Sequence, residues 1–299
     1  MATPLIDSRL SDLLGETRLV MLGSQLLLGL QYRAAFAQTF DSLPPAFKTL
    51  DAAALLLILA TTALLLGTPA LHRIADDGHA SVAMVHRASF HLKLALLPFA
   101  LAFGLDAAIG FVRPVGPWGA GLAGGAFVLG AGFAWYGFPM LIARQSPEEP
   151  MQDKQLPLET RIVQSLTELR VIVPGAQALF GFQFTAVLTQ SFATLPPSSK
   201  AVHLASLAAV ALSVILLIAP AAFHRLTVHG NAEQRVLDYT GKVMLWALGF
   251  LALGMTGDAY VTVRKIAGSE ALALVATAGV AAGFILMLYV LPLWARSRR

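Results

Sequence analysis

The sequence predicts an all-α, polytopic membrane protein. Eight transmembrane helices form two parallel four-helix repeats, related by a pseudo-two-fold axis along the membrane normal. Three observations predict it. Of the 299 residues, 57% are hydrophobic and only 13% charged, against about 25% charged in a soluble domain. Apolar runs of the roughly 20 residues needed to cross a hydrocarbon core recur along the chain. The chain also resembles itself at an offset of 152 residues, the mark of a structural repeat.

The spans fall near 19–40, 50–71, 90–111, 119–141, 171–192, 202–223, 242–263 and 271–293. Open sheets leave backbone groups unsatisfied in lipid, and the alternation of a barrel strand is absent, so the spans are helices. The opening "MATPLIDSRLSDLLGETR" is polar and lacks the pattern of a signal peptide. Its segment 5–14 reads as a short interfacial helix.

Basic residues set the orientation. His72, Arg73 and Arg87 flank the second connection, and Arg144, Lys154, Arg161 and Arg170 the fourth. Arg225, Arg235 and Lys242 flank the sixth, and "WARSRR" closes the chain. The odd-numbered connections hold only Lys48, Arg113, Lys200, Arg264 and Lys265. Both termini are therefore expected in the cytoplasm. The formal charge of +4 is explained by these topology signals, not by nucleic-acid binding.

Without a gap, "GETRLVMLGSQLLLGLQYRAAFAQTFDSLPPAFK" lies over "TELRVIVPGAQALFGFQFTAVLTQSFATLPPSSK", and 15 of 37 positions match between Leu14 and Leu50. The same register carries His72 and Arg73 onto His224 and Arg225, and Asp106 onto Asp258. An even number of spans per repeat returns the chain to its starting side, so the repeats share one orientation. The expected domains are a first repeat at 1–145, a polar cytoplasmic linker at 146–160 and a second repeat at 161–299.

Three polar constellations stand out. Gln25, Gln31 and Gln38 return as Gln177, Gln183 and Gln190, whereas Arg33 is replaced by Thr185. Gln31 and Gln38 are two turns apart and share a face, with Gln25 off that face. Such amides serve as glue between helices or line a solute path. Arg33 and Asp106 each lie about 10–12 Å inside the outer boundary at about 1.5 Å per residue, so they are expected to share a layer and to pair. Asp258 lacks that arginine; its expected partners are Gln183, Gln190 or water. A lone membrane carboxyl suits a proton-coupled carrier. At the cytoplasmic end, Glu16 and Arg18 open a helix on the side where His72 and Arg73 close one. Glu168, Arg170, His224 and Arg225 repeat the pattern, giving an expected Glu–Arg–His network in each half.

No enzyme is indicated, because nucleophile elbows, phosphate loops and hydrolase carboxylate pairs do not stand out. Cysteine is absent, and the histidines lack metal or haem spacing, so neither a metal nor another cofactor is expected.

The pattern of Glu168 and Arg170, then Gly175, Gln177, Gly181, Gln183, Gln190, Phe192, Leu195 and Pro196, then Pro220 to Arg225, resembles an uncharacterised bacterial family of four-helix integral membrane proteins. Members are sometimes labelled sodium:proton antiporters. The resemblance covers nearly all of both halves and implies a tandem duplication in the bacterial inner membrane. The expected function is a proton- or cation-coupled transporter, with Asp106, Asp258, Arg33, Gln31, Gln38, Gln183 and Gln190 along its path. The partners would be the lipid bilayer, protons or Na+, and a second copy or a partner membrane subunit. The alternative is a non-transporting scaffold or accessory subunit whose polar residues hold helices together.

Overall fold

The computed structural model describes residues 5–76, 81–142, 157–227 and 231–298. Residues 146–156 of the expected linker, and Arg144, lie outside these. The described residues are helical throughout, apart from short connections.

The helices are α1 (Leu5–Ala35), α2 (Pro45–Ile74), α3 (Val82–Gly132) and α4 (Phe138–Ile142) in the first repeat. The second repeat holds α5 (Leu158–Val187), α6 (Gln190–Ala193), α7 (Pro197–Leu226), α8 (Gln234–Ala267), α9 (Glu270–Ile285) and α10 (Leu291–Ser297). Residues 5–14, expected as a separate interfacial helix, are instead the first turns of α1. The helix runs on through Gly15 into the span without a break.

Local chemistry fixes the ends. Pro45 and Pro197 open α2 and α7, where the missing N–H has no helical partner to lose. Ser81 caps α3 by accepting from the Met84 N–H at 3.1 Å. Gly268 closes α8 at φ 64°, a left-handed turn that glycine adopts without strain.

Element α3 is two helices joined at a bend. Gly116, between Pro114 and Pro117, has φ 73°, and the chain reverses there. A Cβ on Gly104 or on Gly124 would fall 2.8 or 2.7 Å from the other's carbonyl oxygen, so the two arms touch backbone to backbone. Phe103 meets Phe127 at 5.6 Å, and the Tyr136 hydroxyl donates to the Lys93 carbonyl at 2.5 Å. These pairings define an antiparallel hairpin. Each repeat then inserts a π-turn at a matching place, Phe133–Gly137 and Leu286–Val290.

Among the described residues, six helical stretches are long and apolar enough to cross a membrane: Asp12–Ala35, Pro45–Ile74, Val82–Leu141, Pro197–Leu226, Gln234–Ala267 and Glu270–Ser297. The sequence leads one to expect eight. Val82–Leu141 is one 60-residue stretch that doubles back at Gly116, and α5, which carries Arg170, Gln177 and Gln183, is not among the six. Leu122, Leu129 and Val275 are 70–78% exposed. Side chains of this kind on the outer helices make an apolar girdle of the sort that lipid covers. The chain is a helical membrane protein.

Equivalent helices α1 and α5 lie side by side and parallel. Leu14 and Met21 share a cleft with Glu168 and Ile172, Gln25 sits against Gly175, and Gln38 meets Gln190. Around this pair the repeats pack unequally. The apolar stretch of α2 is 67% buried against 33% for its counterpart α7, because α2 also packs against α8, α9 and α10.

Candidate functional site

The recurring amides turn inward where they matter most. Gln25, Gln31 and Gln183 are at most 4% exposed. The Gln31 amide donates to Asp106 Oδ1 at 2.7 Å. Its counterpart Gln183 donates to Asp258 Oδ2. The first and third long helices of each repeat are thus joined by the same amide–carboxyl bond.

Asp106 therefore bonds Gln31, and no ion pair joins it to Arg33 among the described residues. The cause is azimuth. Residues two apart on a helix point about 200° away from each other, so once Gln31 faces α3, Arg33 cannot.

Each site has a third member that sequence reasoning missed. In the second repeat, His203 Nδ1 stands 3.0 Å from Asp258 Oδ1. Its Nε2 lies 3.1 Å from the Gln183 carbonyl oxygen, an acceptor, so that nitrogen carries the hydrogen. The rings of Phe36 and Phe192 flank the imidazole edge-on at 6.5 and 5.1 Å. In the first repeat the equivalent position holds Asp51, 4% exposed. Asp51 Oδ2, Asp106 Oδ2 and Gln31 Oε1 all lack a hydrogen-bond partner. The matched position thus holds an acid in one repeat and, in the other, an imidazole that meets the carboxyl. The available signal was the offset itself, which lays Asp51 over His203.

Farther along, Gln38 donates to its own counterpart Gln190 at 2.9 Å. Nearby, Lys265 Nζ pairs with Asp41 at 3.0 Å, and Arg113 donates to Thr39 O at 2.8 Å and Ser42 Oγ at 2.7 Å. Lys48 and Lys200 cap equivalent carbonyls, Asp41 O and Ala193 O, at 2.7 Å each.

At the opposite end, the expected network forms between repeats and not within each. His72 Nδ1 contacts Glu168 Oε1, and Arg73 donates to Glu168 Oε2 at 2.8 Å. All three residues are at least 92% buried, and the arginine's fixed charge balances the carboxylate. The mirror-image network is not built: among the described residues no ion pair involves Glu16, Arg18, Arg170, His224 or Arg225. The unequal packing of α2 and α7 explains this, since only α2 is held deeply enough to bring its last turn onto the facing repeat.

No group of three or more His, Cys, Asp or Glu suited to a metal occurs among the described residues. No curated protein and no solved structure matches the chain. Residues 3–139, and again 156–292, match a family of unknown function, DUF6328. With two copies of that family covering most of its length, the chain belongs to DUF6328 as a tandem duplication.

Proposed function

We propose that this chain crosses the membrane eight times, as two parallel repeats, and carries protons or small cations. Asp106 and Asp258 act as its charge-accepting stations. One observation carries the proposal: a carboxyl hydrogen-bonded by a glutamine recurs at the same place in both repeats, Gln31–Asp106 and Gln183–Asp258, part-buried in the first and buried in the second. An ionisable group in a membrane helix is costly, by about 2.5–3.5 kcal/mol on insertion scales, and marks a pathway when it persists. The Gly116 bend and the parallel α1–α5 pair support the eight-span reading. The positive-inside rule puts both termini and the Glu168–His72–Arg73 cluster on the cytoplasmic side.

With Asp258 only 1% exposed, this arrangement is an occluded one, and passage requires the helices to part. The same burial favours a second reading, a scaffold in which these groups only hold helices together.

The full-length protein in liposomes with an entrapped pH dye decides between them. A Na+ or K+ gradient is expected to drive proton movement, reduced at least about tenfold by Asp258→Asn and by Asp106→Asn. Liposomes that move no protons under any cation gradient would leave the scaffold reading standing.

A further inference from the structure

The Glu168 cluster has a counterpart that stays open. Between α5 and α7 runs a groove of about 340 Å³, walled by Leu166, Arg170 and Val173 of α5, Leu217 and Ala221 of α7, and Arg18 of α1. The offset of 152 residues carries Leu166, Val173, Leu217 and Ala221 onto Leu14, Met21, Leu65 and Pro69. Those four wall the cleft beside Glu168, which has room for only about 10 Å³. Equivalent positions thus frame a sealed site on one side of the α1–α5 pair and an open one on the other. The cause is the looser hold on α7, whose apolar stretch is 33% buried against 67% for α2.

The sealed site is neutralised from within the chain, because Glu168 meets His72 and Arg73 there. The open one is not. Arg18 and Arg170 are repeat mates, both exposed, and neither is in an ion pair among the described residues. Arg225, also exposed, stands one turn beyond Ala221 on the same helix face. The acids nearest in sequence are turned or committed elsewhere. Glu16 is two residues from Arg18 and points about 200° away from it, and Glu168 is held by its own cluster. Asp12 and Glu159 lie about 9 and 16 Å farther out along α1 and α5.

Depth and shape identify the class of anion that such a groove takes. Each arginine stands at the residue before an expected span, 19–40 or 171–192, which is the level of lipid headgroups. Deeper in, the wall is apolar: Val173, Leu217 and Ile218 line it, and Ile218 is 44% exposed. A paired guanidinium fork above an apolar channel matches a phosphate joined to an acyl chain.

We propose that this groove binds an anionic phospholipid, with its phosphate on Arg18 and Arg170 and an acyl chain along α5 and α7. Basic pockets between membrane helices are suited to such headgroups. The lipid phosphate stands in for the carboxylate that Glu168 supplies on the sealed side, so an occupant would tie α7 to the α1–α5 pair. The assignment does not depend on whether the protein transports anything.

The full-length protein in detergent, titrated with phosphatidylglycerol and followed by native mass spectrometry and thermal unfolding, tests this. Phosphatidylglycerol should bind and raise Tm, and phosphatidylcholine should not. Arg18 and Arg170 are exposed, so R18Q/R170Q should fold. It should bind phosphatidylglycerol on the order of thirtyfold more weakly, at about fivefold per lost cation. R235Q/K242Q removes two exposed cations from α8, outside the groove, and should leave affinity unchanged. Ala221→Phe, which fills the channel and keeps every charge, should also lose the lipid. Equal binding of the two lipids overturns the proposal, as does an unaffected R18Q/R170Q or Ala221→Phe, or an equal loss in R235Q/K242Q. If inorganic phosphate displaces the lipid at equal concentration, the groove is a site for free phosphate and the lipid assignment fails.

Discussion

The two repeats place the same glutamine and aspartate together and then differ in one residue. Where the first has Asp51, the second sets His203 Nδ1 3.0 Å from Asp258 Oδ1. An acid at that position adds a second carboxyl to its repeat, whereas an imidazole faces the carboxyl with a basic nitrogen. The comparison teaches that duplication has kept the amide–carboxyl bond in both repeats while giving it an acid as neighbour in one and a base in the other. The repeats also differ at the other end of these helices: Glu168 is enclosed by His72 and Arg73, while its counterpart Glu16 stands exposed.

Matched substitutions in the two repeats can break or sharpen this contrast. Among the largest effects, Glu168→Gln should destabilise the protein by about 3–5 kcal/mol, the cost of leaving a buried partner charge uncompensated. Glu16→Gln should change stability by less than about 0.5 kcal/mol. Unfolding of the two variants in detergent, compared side by side, checks this; equal losses would mean that the cross-repeat network has no special weight.

A comparable loss, again about 3–5 kcal/mol, is expected for His203→Asp, which turns the second site into a carboxyl pair. The reverse exchange, Asp51→His, should raise Tm by removing a buried acid whose Oδ2 has no partner. Opposite signs in the two melting curves would support the assignment of roles, and a fall in both would refute it.

Smaller effects come from the paired glycines. Gly175→Ala forces a Cβ into the buried Gln25 side chain and should cost about 1–3 kcal/mol. Gly23→Ala, its counterpart, meets only a Phe99 ring atom at 3.4 Å, and a near-wild-type Tm is expected. Smallest of all, Gln38→Ala removes one interhelical bond and should cost about 0.6 kcal/mol, resolved by equilibrium unfolding.

Much of this architecture was legible because periodicity and self-similarity report on it directly. The offset of 152 residues identified Gln31 with Gln183 and Asp106 with Asp258 before any geometry was known, and the amide–carboxyl bonds respect it. What the offset lacked was azimuth. Depth along the helix put Arg33 level with Asp106, but a rotation of about 200° separates Arg33 from Gln31, and only packing decides which faces inward. Asp51 and His203 escaped notice because each lies one and a half turns into an apolar helix, where a single polar residue looks like part of the helix opening. The choice of partner for Glu168 was also hidden. Nothing in one chain's spacing tells whether His72 or His224 will reach it, since that depends on how deeply α2 and α7 are held.

The bond between Gln38 and Gln190 joins two equivalent positions, yet a single amide bond has a giver and a taker. Between separate identical subunits, the two senses of that bond would have equal energy, and half the molecules would show each. Unlike surroundings within one polypeptide lift that degeneracy, so a single direction can be favoured at the very place where the halves are most alike.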